Sequence, residues 1–169
     1  MTPGARTVRE EHQGFQLQVD AILHVADSVG AVPLEVLLEK TGEIHEFLAH
    51  SLMPHAAAED LILFPALREG SDSAPTVAMT RCHRQLGRFT DDLEAERKRL
   101  GARENPRDAE RELRRILYGT HALLTAHFDE AEEAFESALG KLSPEDREVL
   151  FERVERYADD VAKLLRFGG

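Results

Sequence analysis

The sequence predicts an all-α fold: an antiparallel, up-down four-helix bundle with an additional C-terminal helix. Apolar residues recur at every third or fourth position along five segments, and no segment shows the period of two that is typical of a strand. Glycine, proline and capping residues leave only short loops between the segments, which makes consecutive helices antiparallel neighbours. The 169 residues are enough for one domain. We expect residues 1–169 to form it, with the bundle at about 7–140 and the last helix at about 144–167.

Capping signals predict where three of the helices begin. Thr7, Asn105 and Ser143 have side chains that accept hydrogen bonds from the first turn of a helix, and each is followed by an acidic residue three positions later. Asn105 and Ser143 also precede a proline, which suits the first helical position. These signals place helix starts at about residues 7, 106 and 144.

Glycines predict where the helices end. The expected stops are Gly30, Gly70, Gly101 and Gly140. The predicted helices therefore span about 7–29, 34–68, 75–100, 106–139 and 144–167. Pro54 lies inside the second of them, where it removes one backbone hydrogen bond and is expected to kink or split the helix just before His55.

Composition excludes several classes of protein. A net charge of −11 and a pI near 5.2 leave no basic surface for nucleic acid or anionic membranes. No apolar run is long enough to span a bilayer, and residues 1–11 lack the pattern of a signal peptide. Cys82 is the only cysteine, so the chain cannot form an internal disulfide, as expected in a reducing compartment. We therefore expect a cytoplasmic protein.

Polar residues interrupt the apolar face of each of the first four helices. His12 lies on the first face, His55 and Glu59 on the second, His83 on the third and His127 on the fourth. Burying such groups without partners costs about 2 kcal/mol or more each. Imidazole and carboxylate groups that converge from facing helices suit iron, manganese or zinc. Hydrogen-bonded core histidines and residues at the edge of a stripe are the alternatives, but a histidine on all four faces favours a metal.

The remaining histidines and the cysteine have simpler interpretations. His24 and His50 project from polar faces and are expected in solvent. His45 and His121 lie at stripe margins, where an edge position is favoured over contact with the metal ligands. Cys82 is interpreted as a small buried hydrophobic residue and not as a redox switch.

Helices two and four carry related segments, and these lead to a family resemblance. HAAAEDLILFPAL from His55 and HFDEAEEAFESAL from His127 align without a gap. With His12 and His83, and with LMPHAAAEDLILFPAL as its most specific part, the sequence resembles the hemerythrin-like HHE cation-binding family over residues 8–140. The family pattern is one histidine, then HxxxE, then one histidine, then a second HxxxE or HxxxxD.

The resemblance implies a set of metal ligands, and one of its members is open. His12, His55, Glu59, His83 and His127 match the pattern. Ala131 stands where the second HxxxE requires glutamate. Glu132 is the favoured sixth ligand because it has the HxxxxD spacing, and Glu130 is the alternative.

The resemblance also implies a cofactor and a range of functions. The expected cofactor is a pair of non-haem iron ions with an oxo or hydroxo bridge, with zinc or manganese as alternatives. Gly87 and Met79 lie four residues on either side of His83, where oxygen carriers place an extra histidine, so peroxide becomes a better candidate than oxygen carriage. The leading hypothesis is hydrogen peroxide decomposition in oxidative or nitrosative stress defence. The alternatives are a protein that binds or senses O2, NO or iron without turnover, and a purely structural bundle.

Missing motifs disfavour one class of metal enzyme, the ferritin-like di-iron oxidases, and exclude another, the zinc proteases. Ferritin-like oxidases carry Glu-x-x-His, and zinc proteases carry HExxH, and the chain contains neither. Enzyme and sensor are not separated by the sequence, and the expected binding partner is a small molecule.

Overall fold

The fold is all-α, as predicted. A computed structural model describes residues 8–68 and 74–167, and within these ranges the chain forms helices and no strand. We number the helices α1 to α5, counting the continuous helical stretch at 34–68 as one. They are α1 (Val8–Ser28), α2 (34–68), α3 (Ala74–Gly101), α4 (Pro106–Leu139) and α5 (Pro144–Phe167). The predicted bounds differ from these by at most one residue.

Helix α2 alternates between α-helical and π-helical turns. Its α-helical parts are Leu34–Phe47, Met53–Ala58 and Phe64–Arg68, and its π-helical turns are Leu48–Leu52 and Glu59–Leu63. Pro54 does not split the helix, because the backbone stays in the right-handed helical region at Leu52 (φ −71, ψ −46) and Met53 (φ −67, ψ −38). The hydrogen bond that proline cannot donate falls next to the first π-turn, where the regular ladder is already interrupted.

Two of the capping predictions fall on described residues, and they have different outcomes. The backbone amide of Asp146 donates to Ser143 Oγ at 3.1 Å, so the cap at the start of α5 is confirmed. Asn105 makes no side-chain cap; it adopts the left-handed conformation (φ 45), and its carbonyl accepts from the amides of Asp108 and Ala109. Asparagine tolerates this conformation better than most residues, which explains its presence there. Thr7 and Gly70 lie outside the described residues.

Neighbouring helices are held by contacts between opposite ends. The start of α1 meets the end of α4, where the rings of His12 and Phe128 stack, and the end of α1 meets the start of α4, where Arg114 donates to the Val29 carbonyl. At one end of the α3–α4 pair, Arg99 pairs with Asp108 at 3.1 Å. Helix α5 packs mainly against the middle of α2.

The core consists of two apolar clusters separated by polar residues. The larger cluster includes Ile22, Leu93 and Leu117 and involves α1 to α4. The smaller one includes Leu63 and Phe135, and helix α5 joins it through a group of side chains: Leu150, Phe151 and Val154. Along α2, α3 and α4, the histidines singled out in the sequence lie where one cluster gives way to the other. No helix among the described residues is long and apolar enough to cross a membrane.

Candidate metal centre

Five polar side chains meet at the junction of the two apolar clusters. His12 comes from α1, His55 and Glu59 from α2, His83 from α3 and His127 from α4. Each is at most 7% exposed. His55 and Glu59 share one face because residues four apart in a helix are neighbours. The prediction that each long helix turns one histidine into the core is therefore confirmed.

Glu59 lies at the middle of this group, and each of its oxygen atoms faces two histidines. Its Oε1 is 3.7 Å from His12 Nε2 and 3.4 Å from His55 Nε2. Its Oε2 is 3.1 Å from His83 Nε2 and 3.7 Å from His127 Nε2. The carboxylate thus divides the histidines into two pairs, one on each oxygen.

The geometry suits metal ions, and it also includes a hydrogen bond between His83 Nε2 and His127 Nε2 at 3.3 Å. The five side chains form two groups in which the possible ligand atoms lie within 4.8 Å of one another: His12–His55–Glu59 and Glu59–His83–His127. Neither ring nitrogen of His12 has a hydrogen-bond partner among the described residues, although the residue is 2% exposed. Buried polar groups normally have partners, so unsatisfied nitrogens beside a buried carboxylate fit the donor set of a metal site. The donor set of imidazoles and one carboxylate suits iron, zinc or manganese.

Burial and the mutual contacts shift the pKa values of these groups in different directions. Burial lowers the pKa of His12, which favours the neutral ring that a metal requires. Burial would raise the pKa of Glu59, but the surrounding histidines, with His55 foremost, hold it well below its usual range. Glu59 is therefore ionised at neutral pH and brings one negative charge into the core.

Asp60 supports His83 from the side facing away from Glu59. Its Oδ2 is 3.2 Å from His83 Nδ1, and its Oδ1 accepts a hydrogen bond from Thr80 Oγ1 at 2.6 Å. Burial opposes protonation of His83, but Asp60 and Glu59 raise its pKa to about 9. Asp60 could not be singled out from the sequence, because its partner lies on another helix; the only signal was its position next to Glu59.

Aromatic rings cover the histidines. Phe128 stacks on His12 with ring centroids 4.2 Å apart, and Phe64 stacks on His83 at 5.6 Å. Phe15 meets His55 edge-on at 5.2 Å. These rings keep the imidazoles in place and exclude water from most of the group.

The sixth predicted ligand does not join the other five. The carboxylate of Glu132 lies 3.0 Å from the guanidinium of Arg9 and is partly exposed. Glu130 is exposed, and Ala131 is fully buried beside Leu63 and Phe135.

The other histidines lie away from the centre. His24 is exposed, as predicted, whereas His50 is half-buried and lies 3.0 Å from Glu46, so the prediction that it is solvated was wrong. His45 is half-buried near Glu94, and His121 is half-buried. Cys82 is half-buried, with its Sγ 4.0 Å from the Leu123 carbonyl.

Comparison with known proteins agrees with this geometry. The chain matches the family model described as the hemerythrin HHE cation binding domain over residues 4–139. No curated protein and no solved structure matches the chain.

Proposed function

The chain belongs to the hemerythrin HHE cation-binding family, and we propose that it is a non-haem di-iron protein that decomposes hydrogen peroxide. The observation that carries this proposal is the position of Glu59, whose two oxygens each face a separate pair of histidines. His12 and His55 would hold one ion, His83 and His127 would hold the other, and Glu59 would bridge them. Two ions so placed supply a shared clamp for the oxygen atoms of a small substrate.

The five side chains that meet at the centre, even with Glu132 as a sixth ligand, would leave positions open for substrate. Four imidazoles and two carboxylates are few donors for two ions, so water or substrate would supply the rest. Ala131 contributes no donor where the family pattern has a second glutamate. The open positions favour turnover over simple carriage of oxygen. In the reaction, one peroxide is reduced to water while a second is oxidised to dioxygen, so no external reductant is needed. We propose a role in defence against oxidative and nitrosative stress.

The protein residues would orient the ions and control protons around them. Asp60 Oδ2 lies 3.2 Å from His83 Nδ1 and would hold the ring with Nε2 directed at the centre. Phe128 and Phe64 cover the rings and exclude water. The site therefore combines imidazole and carboxylate donors in fixed positions with an environment that excludes water.

We also propose that α1 to α4 form an antiparallel up-down bundle, that α5 is added beside it, and that the whole chain is one domain. The contacts between opposite ends of α1 and α4 support antiparallel packing. The packing of α5 against α2, together with its share of the smaller apolar cluster, supports a single domain.

Iron analysis and peroxide turnover test the proposed function. After anaerobic loading, we expect about two iron ions per chain, an absorption spectrum that changes on addition of peroxide, and evolution of oxygen. The control is Glu59→Gln, which keeps the shape of the bridge but removes its charge and should lose iron. Less than one iron per chain would contradict the di-iron proposal. Bound iron without oxygen evolution would favour the binding or sensing alternative.

Glu132 remains the proposed sixth ligand, reached by a change of rotamer away from Arg9. Iron content in Glu132→Ala and Glu130→Ala tests it, since the two residues flank the same alanine and both are acidic. We expect Glu132→Ala to hold less iron than Glu130→Ala. Equal iron retention in the two variants would show that the choice of Glu132 over Glu130 is wrong.

A further inference from the structure

A cavity of about 630 Å³ lies beside the centre, between α1, α2 and α5. Gly14 and Phe15 of α1 and Pro54 and His55 of α2 form its inner walls, and α5 forms its outer wall. Among the five residues that converge on the centre, His55 is the one that lines this cavity. The cavity therefore reaches the His12–His55 side of the centre.

Small residues line the cavity on two of its sides. Ala158 and Ala162, one turn apart on α5, line the cavity, and both are half-buried. On the facing helix, a Cβ added at Gly14 would meet no heavy atom within 4 Å. A larger side chain at these positions would narrow the passage.

The cavity changes in character from its mouth to its floor. Exposed charges of both signs line it on the solvent side: Glu10, Asp159, Lys163 and Arg166. Phe15 lies at its inner side, against His55. Half-buried Glu155 lines the cavity as well, so three acids face two bases and the mouth disfavours anions. The aromatic floor disfavours any ion that would have to leave its water. The cavity suits a small, polar, uncharged molecule.

We propose that this cavity is the access route by which small, polar, uncharged molecules reach the His12–His55 side of the centre, and that Ala162 sets its width. The inference rests on the proposed function, since it requires a metal at the centre. The rival route is a smaller cavity of about 320 Å³ between α3 and α4, which Cys82, Ala126 and His127 line.

The first test uses the metal-free chain. The chain contains no tryptophan, so Phe15→Trp places a single fluorophore at the floor of the cavity. Acrylamide, a small, polar, uncharged quencher, reports access to it. Adding Ala162→Phe should lower the quenching constant to roughly half or less, because the benzyl group fills the passage. Adding Ala126→Phe, the same substitution in the rival cavity, should leave it unchanged.

The second test uses the iron-loaded chain without the tryptophan. The rate of the spectral change after rapid mixing with hydrogen peroxide should fall by roughly tenfold in Ala162→Phe. It should fall by less in Ala162→Leu and stay unchanged in Ala126→Phe. Circular dichroism and iron content are measured on the same samples, so that only folded and loaded variants are compared.

The two tests distinguish failure of the route from failure of the function. A wild-type chain that holds no iron overturns the proposed function. If Ala162→Phe and Ala162→Leu are folded and iron-loaded but react with peroxide at the wild-type rate, the proposed access route is wrong and the proposed function is unaffected. A rate that falls in Ala126→Phe and not in Ala162→Phe overturns it in favour of the α3–α4 cavity.

Discussion

Glu59 is both ionised and buried, a combination that is costly without partners and useful beside cations. It is ionised and 1% exposed, and a buried charge without compensation destabilises a fold by several kcal/mol. The four imidazoles around it supply part of the compensation, and metal ions would supply the rest. A carboxylate in this position is understood most simply as a bridge between cations.

Asp60 is expected to strengthen metal binding through His83. Replacing it with asparagine removes the anion beside His83 Nδ1, while Thr80 and Glu59 stay in place. Loss of such a partner weakens metal affinity by about 10- to 100-fold. Competition with an iron chelator, in Asp60→Asn against wild type, measures the change.

The matched control removes an equal charge elsewhere. Asp20 is an exposed aspartate on α1 that accepts a hydrogen bond from Gln16. Asp20→Asn therefore removes one negative charge, as Asp60→Asn does, without changing the centre. Asp20→Asn should keep wild-type affinity. If both variants lose affinity equally, the effect of Asp60 is one of overall charge and not of ring orientation.

The contact between Asp60 and His83 makes the stability of the metal-free chain depend on pH. Asp60 and Glu59 raise the pKa of His83 from 6.5 to about 9, so the folded state binds this proton more tightly than the unfolded state does. The resulting stabilisation is fully present below pH 6.5 and is lost as the pH rises through about 9. An NMR titration of the ring should give a midpoint near 9, and Asp60→Asn should lower it. A midpoint near 6.5 in the wild type would contradict this assignment.

At the scale of the helix, the sequence predicted the helix bounds and the inward-facing residues well, and it predicted the π-turns and the capping geometry less well. The five segments and the five converging residues follow from the spacing of apolar residues, because a helix face repeats every three or four positions. The π-turns of α2 could not be predicted this way, since one extra residue within a turn barely disturbs the pattern. Asn105 suggested a side-chain cap, yet its left-handed backbone depends on the path of the loop. Asp60 was missed because its partner is distant in sequence.

Two glycines test how closely the helices pack. A Cβ added at Gly119 of α4 would lie 2.9 Å from Phe89 Cζ, whereas one at Gly87 of α3 would have its nearest contact at 3.9 Å, with the flexible end of Met53. An alanine at either position gains about 1 kcal/mol of helix propensity. At Gly119, crowding against Phe89 costs about 1–3 kcal/mol in addition.

Gly87→Ala should therefore be as stable as the wild type or more stable, and Gly119→Ala should be at least about 1 kcal/mol less stable than Gly87→Ala. Urea denaturation of the metal-free variants gives the free energies of unfolding. Equal stability of the two variants would mean that Phe89 moves aside at little cost, and that α3 and α4 pack more loosely at Gly119 than the structure indicates.

At the scale of the whole molecule, the polar centre separates the core into two apolar clusters. Helix α5 completes the smaller cluster through Leu150, Phe151 and Val154, and its next turns line the cavity beside His55. One helix thus contributes both to the core and to the proposed access route. Both halves of the chain also meet at the centre, because each of the first four helices contributes a histidine to it.

Iron should therefore stabilise the entire fold. A metal that binds only the folded state adds about 2.7 kcal/mol at a concentration 100 times its dissociation constant. For a chain of this size, this corresponds to a rise of roughly 5–10 °C in Tm. The chain carries a net charge of −11, so weak binding of cations to surface acids is a competing cause of stabilisation. Glu59→Gln separates the two causes, because it changes no surface acid. We expect scanning calorimetry to show the rise in the wild type and little or none in Glu59→Gln; an equal rise in both would place the stabilising iron on the surface.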